Sequence, residues 1–178
     1  MILFLFSMDQ TINTNNFNKI TQDINIFKGS FPKNGKIIGI DVGTKTIGIA
    51  ISDNFRRIAL THKTIFRKKL NIDLSDINKI IKKNDISSLV LGLPLNKDGT
   101  KGPRAQSSIT YANIFFKNFN LPVLLWDERF STIGIVREMK KAGIKKESIK
   151  KNIDAASATW ILQCALDTMN NNMVSHAQ

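Results

Sequence analysis

One cysteine, Cys164, occurs in 178 residues, so no disulfide can form within the chain, and a reducing compartment suits it. We read Cys164 as a small apolar residue on a buried helix face. Histidine is nearly as scarce. His62 and His176 are far apart, and no His or Cys cluster has the spacing of a structural zinc site. Long hydrophobic runs are also missing: the opening "MILFLF" is six residues, with no basic segment before it and no small-residue cleavage site after it. A membrane span is not expected, and a cytoplasmic protein is. Acid is in deficit, with 14 Asp and Glu against 26 Lys and Arg, a net charge of +12. Little of that excess lies in residues 1–35, where Lys19, Lys28 and Lys33 face Asp9 and Asp23. The remainder is therefore basic, which points to a polyanionic partner, nucleic acid or an acidic membrane surface.

With 42% hydrophobic residues the chain can build one core, and two full domains would be cramped. Residues 1–34 are rich in Asn, Thr and Ile without a sustained period, so we expect a loosely ordered extension, with Met8 as a second candidate start. "IIGIDV" and "IGIAIS", joined by "GTKT", then "IALTHKTIF", read as three strands of an antiparallel meander. "NIDLSDINKIIKKN" places Leu74, Ile77, Ile80 and Ile81 on one helical face, and the apolar strand "SSLVLGLP" follows. A second helix from about Pro103 to Asn118 carries Ile109, Ala112, Phe116 and, just beyond it, Phe119 at helical spacing, before the buried-type strand "LPVLLWDE". This alternation implies parallel pairing covered by helices. After Thr132 the pattern is helical. "STIGIVREMKKAG" ends at a capping Gly143, and Ala158, Ile161, Leu162, Ala165 and Met169 share one face of the last helix. No internal repeat is visible.

Asp41 stands in the middle of an apolar run. A carboxylate there costs several kcal/mol of desolvation unless a cation or hydrogen-bond donors compensate it. Further acids fall at element ends: Asp127 and Glu128 after the last strand, Asp154 at the start of the last helix. Parallel strands and a helix packed across them can bring three such carboxylates together as a divalent-cation site. Oxygen ligands suit Mg²⁺ or Mn²⁺, and two such ions about 3.5–4 Å apart can activate water and stabilise a leaving oxygen in phosphodiester hydrolysis. Simpler readings stand beside this one. Asp41 before Gly can bond to turn amides, Asp154 can be a helix N-cap, and Glu128 with Arg129 can form a surface ion pair. Asp53 reads as a turn residue.

"GIDVGTKTIGIAISD", "LVLGLPLNKDGTKGP", "WDERFST" and "NIDAASATWILQ", in that order and spacing, resemble the YqgF family. These RNase H-like proteins are described as Holliday junction resolvase-like and as nucleases that process the 5′ end of pre-16S rRNA. The resemblance covers residues 36 to 168. It implies an α/β RNase H-like fold, which agrees with the strands read above: a five-stranded mixed sheet of antiparallel meander plus two parallel strands flanked by helices, over residues 35–170, while the closing "NNNMVSHAQ" reads as a tail frayed over 171–178. It also implies a divalent-metal nuclease using Mg²⁺ or Mn²⁺, with Asp41, Glu128 and Asp154 as the catalytic and metal-binding acids. Strand alternation keeps Asp127 and Glu128 from sharing a face, so Glu128 is the preferred ligand and Asp127 a support. The sequence departs from the family pattern at Thr46, where a basic residue is common, and at Lys151, where a glycine is.

"NKDGTKGPR" offers a tight turn at Asp98-Gly99 and a helix start at Gly102-Pro103; it reads as a loop whose Lys97, Lys101 and Arg104 close on a nucleic-acid backbone, or as an ordinary solvated loop. Lys45, Arg129, Lys150 and Lys151 are further candidate phosphate contacts. Arg56-Arg57, Lys63 with Arg67 to Lys69, and Lys140-Lys141 with Lys145-Lys146 are other basic clusters. Phe130 and Trp160 read as core. A competing class comes from "DVGT", which also resembles the phosphate-binding turn of actin-like and sugar-kinase ATPases, but those need two domains to enclose a nucleotide. A non-catalytic binding module of the same fold is a third reading. Pre-rRNA and a branched DNA junction both present bent, closely spaced phosphates, and either a monomer or a homodimer fits.

Overall fold

The computed structural model describes residues 20–129 and 146–174, and within the last helix the side chains of 155–171. Its centre is β2 (Lys36–Val42), β3 (Thr46–Ser52) and β4 (Ala59–Phe66), an antiparallel meander of β-branched runs. The chain then crosses through α2 (Leu70–Lys83) to β5 (Ile86–Leu93), and through α3 (Pro103–Phe119) to β6 (Val123–Asp127). β2, β5 and β6 lie parallel. Every residue of β5 is buried, as a strand covered on both faces must be. The last helix, α4 (Lys146–Val174), packs across β2, β3, β4 and β5.

With β1 (Ile20–Thr21), the strand order is β1-β6-β5-β2-β3-β4, the expected meander and parallel strands with one addition. The expected sheet had five strands, whereas β1 adds a sixth beside β6. Residues 20–34, expected to be loosely ordered, instead carry β1 and α1 (Ile24–Ser30). Asp23 caps α1, its carboxylate accepting from the backbone of Asn25 at 2.7 Å and Ile26 at 3.2 Å. Phe27 is fully buried. Seven residues are too few for periodicity to show, so only the cap could have signalled this helix. The other expected boundary, a tail from residue 171, also moves, because α4 runs to Val174.

Two cores flank the sheet. On one side Ile38, Ile40, Ile47, Ile49, Leu89, Leu91 and Leu93 pack with α2 and α3. On the other, Ile37, Ala50, Val90 and Leu124 meet Ala158, Ile161, Leu162 and Met169 of α4. The face expected on α2 is the buried one, with Leu74 at its margin. On α3 the buried stripe is Ala105, Ser108, Ala112 and Phe115, so Phe116 and Phe119, expected inside, lie at its flank. Among the described residues no helix is long and apolar enough to cross a membrane. The expected helix over 132–143, Phe130 and the lysines at 140, 141 and 145 lie outside the described residues.

Candidate active site

Strand alternation decides which acids can meet. Along β2, Ile38 and Ile40 enter the α2–α3 core while Ile37 enters the α4 core, so Gly39 and Asp41 belong to the α4 face. Along β5, Val90 and Gly92 take that face, and along β6, Leu124 and Trp126 do. Glu128, the first residue after β6, continues the series. Asp127 falls on the opposite phase.

Asp127 is held by its neighbour: Arg129 Nε donates to both carboxylate oxygens at 3.1 and 2.8 Å, and Arg129 Nη2 lies 2.7 Å away. Burial pushes the Asp127 carboxyl up, but the hydrogen bonds and charge of Arg129 outweigh it and hold it below the usual range. Arg129 is thus paired with Asp127.

The Glu128 carboxylate is in a different position. Its backbone N–H donates to Leu93 O at 3.1 Å, and the side chain reaches back over Gly92. A Cβ built on Gly92 would collide with Glu128 Oε1 and sit 2.8 Å from Ile161 Cδ1. Only a residue without a side chain leaves this space. Burial, then repulsion from Asp41, raises the Glu128 pKa to about 7; Asp127 adds to the rise and Arg104 opposes it. Asp41 and Glu128 are therefore close enough that ionising one disfavours ionising the other.

A crowded pair of carboxylates, one of them inclined to keep its proton near neutral pH, suits a hard divalent cation, which would relieve the repulsion and displace that proton. The donors present fit Mg²⁺ or Mn²⁺. Among the described residues no group of three His, Cys, Asp or Glu side chains forms a cluster. The side chain of Asp154, the third expected acid, lies outside those described, as do those of Lys150 and Lys151. The backbone does place Asp154. Because α4 begins at Lys146, it is inside the helix, and the N-cap reading is corrected. Ala158 O lies over Gly39, where a Cβ would approach it to 2.9 Å. Asp154 is one turn before Ala158, about 6 Å along the helix, and Asp41 is two residues after Gly39, about 7 Å along the strand. Both steps run the same way, since α4 meets Thr61 at Thr159 and Ala59 at Gln163.

The loop after β5 is tightly built. Gly99 takes a positive φ of 85°, its N–H donates to Asn96 O at 2.8 Å, and Asp98 Oδ1 accepts from the N–H and hydroxyl of Thr100. Lys97, Lys101 and Arg104 are exposed on it and on the first turn of α3, and Lys45 is exposed in the β2–β3 turn. Asp53 is a turn residue as expected, accepting from Arg57 and Ile58 backbone N–H groups.

A family described as "RuvX: Holliday junction resolvase" matches residues 35–168. The chain belongs to this family. Its match spans the same four motifs that carry the YqgF resemblance. Among its relatives, a Rhodobacter capsulatus protein described as "Putative pre-16S rRNA nuclease" is 43% identical over 143 residues, 80% of this chain and 90% of that one. A Zymomonas mobilis protein of the same description is 39% identical over 156 residues, 86% of this chain and 93% of the other. A solved structure of T. thermophilus RuvC in complex with Holliday junction substrate is similar at a TM-score of 0.47 and 8% identity, covering 78% of this chain and 96% of that chain.

Two glycines of the site did not stand out in the sequence. Gly92 makes room for the Glu128 carboxylate, and Gly39 admits α4 to within 2.7 Å of a notional Cβ at Leu162 Cβ. The available signal was a glycine inside each of two otherwise apolar strands, which marks close approach of another group.

Proposed function

We propose that this RuvX-family chain is a divalent-metal-dependent endonuclease that hydrolyses phosphodiesters and processes the 5′ end of pre-16S rRNA. The observation that carries the reading is the Glu128 carboxylate, seated over Gly92 and raised to about 7 beside Asp41. The names of the relatives supply the substrate.

Asp41, Glu128 and Asp154 are the acids that would hold Mg²⁺ or Mn²⁺. When bound, the cation supplies Lewis-acid polarisation of a phosphodiester oxygen and acidifies water. Asp41 would contribute a carboxylate ligand from the α4 face of the sheet. Glu128 holds its proton near neutrality in metal-free protein and would give it up on binding the cation. Asp127 and Arg129 brace the chain on either side of Glu128. Exposed Lys45, Lys97, Lys101 and Arg104 would hold phosphates, as would Lys150 and Lys151 beside Asp154 in the chain. Such contacts position a strand without reading its sequence.

The family description favours a second substrate, branched DNA. One cleavage panel separates the two: a pre-16S 5′ leader, a four-way junction and a single-stranded RNA, each with Mg²⁺ or with chelator. The reading expects metal-dependent cutting of the leader in preference to the junction, abolished by Asp41→Asn with binding nearly intact. Cutting in chelator would overturn the mechanism, and preference for the junction would overturn the substrate.

A further inference from the structure

We propose that Phe66 is a stacking post for an unpaired nucleotide of the substrate, so that the strand entering the site is single-stranded beside the scissile phosphate. The inference rests on the nuclease reading for the identity of that site.

Phe66 ends β4 and is 74% exposed. Its strand neighbour Ile65 is buried in the α2–α3 core opposite Ile47, so alternation turns Phe66 to the other face, the one that bears Asp41. The registers fix the spacing: Asp41 lies opposite Gly48, Gly48 opposite Thr64, and Phe66 opposite Thr46. Asp41 and Thr64 are thus two strands apart, about 10 Å, and Phe66 is one pleat further towards the Asp41 end of the sheet.

The base of the post is anchored. Arg67 N–H donates to Lys45 O at 3.0 Å, Arg67 Nη1 donates to Gly43 O at 2.8 Å, and the guanidinium lies 5.0 Å over the Tyr111 ring and also bonds the Tyr111 hydroxyl. The turn that follows Asp41 is tied in this way to the residue after Phe66. Lys45, next to Phe66's strand partner Thr46, and Lys68 and Lys69, which follow in the chain, are exposed.

An outstanding ring among lysines is what single-stranded nucleic acid recognises: cations track the phosphates, and the ring takes a base face. In a duplex those faces are stacked on one another, so the same ring gains nothing from paired bases. Charge selects against an apolar protein partner, and position on the acid-bearing face ties the ring to the reacting strand.

The test uses the full chain in chelator, where binding is read without cleavage. Labelled single-stranded RNA and DNA oligonucleotides and their duplexes are titrated with wild type, Phe66→Ala and Phe66→Tyr, with 2-aminopurine placed along the strand to report stacking. Phe66→Ala should weaken single-strand binding about tenfold and abolish 2-aminopurine quenching. Phe66→Tyr should keep both, and duplex binding should stay within about twofold. Equal weakening for single strand and duplex, or no change in either, overturns the proposal and leaves Phe66 an ordinary exposed apolar residue. Failure of the nuclease reading shows elsewhere, as absent Mg²⁺-dependent cleavage by wild type, so the two failures are distinguishable.

Discussion

At the amino ends of β2 and β5, Arg56 donates to the carbonyls of Gly35, Pro32 and Asn34 at 2.7–2.8 Å and lies 4.6 Å over the Phe31 ring. Ser52 Oγ accepts from Ile37 N–H there and donates to Asp53 O. At the carboxyl ends of the same strands, Glu128 is set against Asp41, like charge against like, and its pKa rises to about 7. One end of the sheet matches donors to acceptors and stabilises the fold. The other concentrates repulsion that the fold itself does not need, and the surrounding structure must tolerate it. That contrast separates architecture from chemistry within one sheet.

The sharpest way to break the contrast is Asp41→Asn. It should lower the cleavage rate about a thousandfold while nucleic-acid affinity, measured by titration, changes little. Cleavage within tenfold of wild type would remove Asp41 from the site. Next is a matched pair of glycine variants. Gly92→Ala pushes a Cβ into Glu128 Oε1 and should cost about a hundredfold in cleavage through misplacement. Gly35→Ala, strained by a φ of 90° and 2.9 Å from Ser87 Cβ, should lower the urea midpoint and leave the rate per folded molecule unchanged. Similar losses of rate in both would erase the distinction between the ends.

Arg56→Ala should destabilise by about 1 kcal/mol, because the half-buried Gly35 carbonyl and the exposed Pro32 and Asn34 carbonyls lose a charged donor. Denaturation reads the loss, and kcat for the folded fraction should stay at wild type. The smallest effect is a pH dependence in metal-free protein. The Glu128 folded pKa of about 7 lies above its ordinary 4.5, so the folded state binds the extra proton between those values. Stability falls as pH rises through that window and is flat beyond it. For a half-buried group the loss is about 1–2 kcal/mol. Glu128→Gln should abolish this slope in melts from pH 4 to 8, and an unchanged slope would assign it to other groups.

Much of the fold was legible because β2 to β6 and α2 to α4 bury apolar residues at periods that a short window reveals. The stripe on α3 slid because Phe115 and Phe116 are adjacent, and pattern alone does not say which ring goes inside. β1 and α1 escaped notice because a two-residue strand and a seven-residue helix depend on docking rather than on their own periodicity. For the site, the resemblance named Glu128 beside Asp41 and alternation separated Asp127 from it, whereas the glycine that seats Glu128 was not foreseen. Gly92 and Glu128 are far apart in the chain, and their contact exists only once β5 and β6 pair. Arg104, read as a phosphate contact, also bears on Glu128 through its charge.

α4 is pinned along its length by Thr159 to Thr61, Gln163 to Ala59, Asn170 to Arg56 and Lys28 to Met169. These fastenings act as a ruler: they fix the angular setting of every residue upstream of them, the proposed third acid at 154 included. Deleting a single residue between 154 and 158 would leave the ruler in place but rotate Asp154 by about 100° around the helix axis. The chemistry at one end therefore depends on counting from the other.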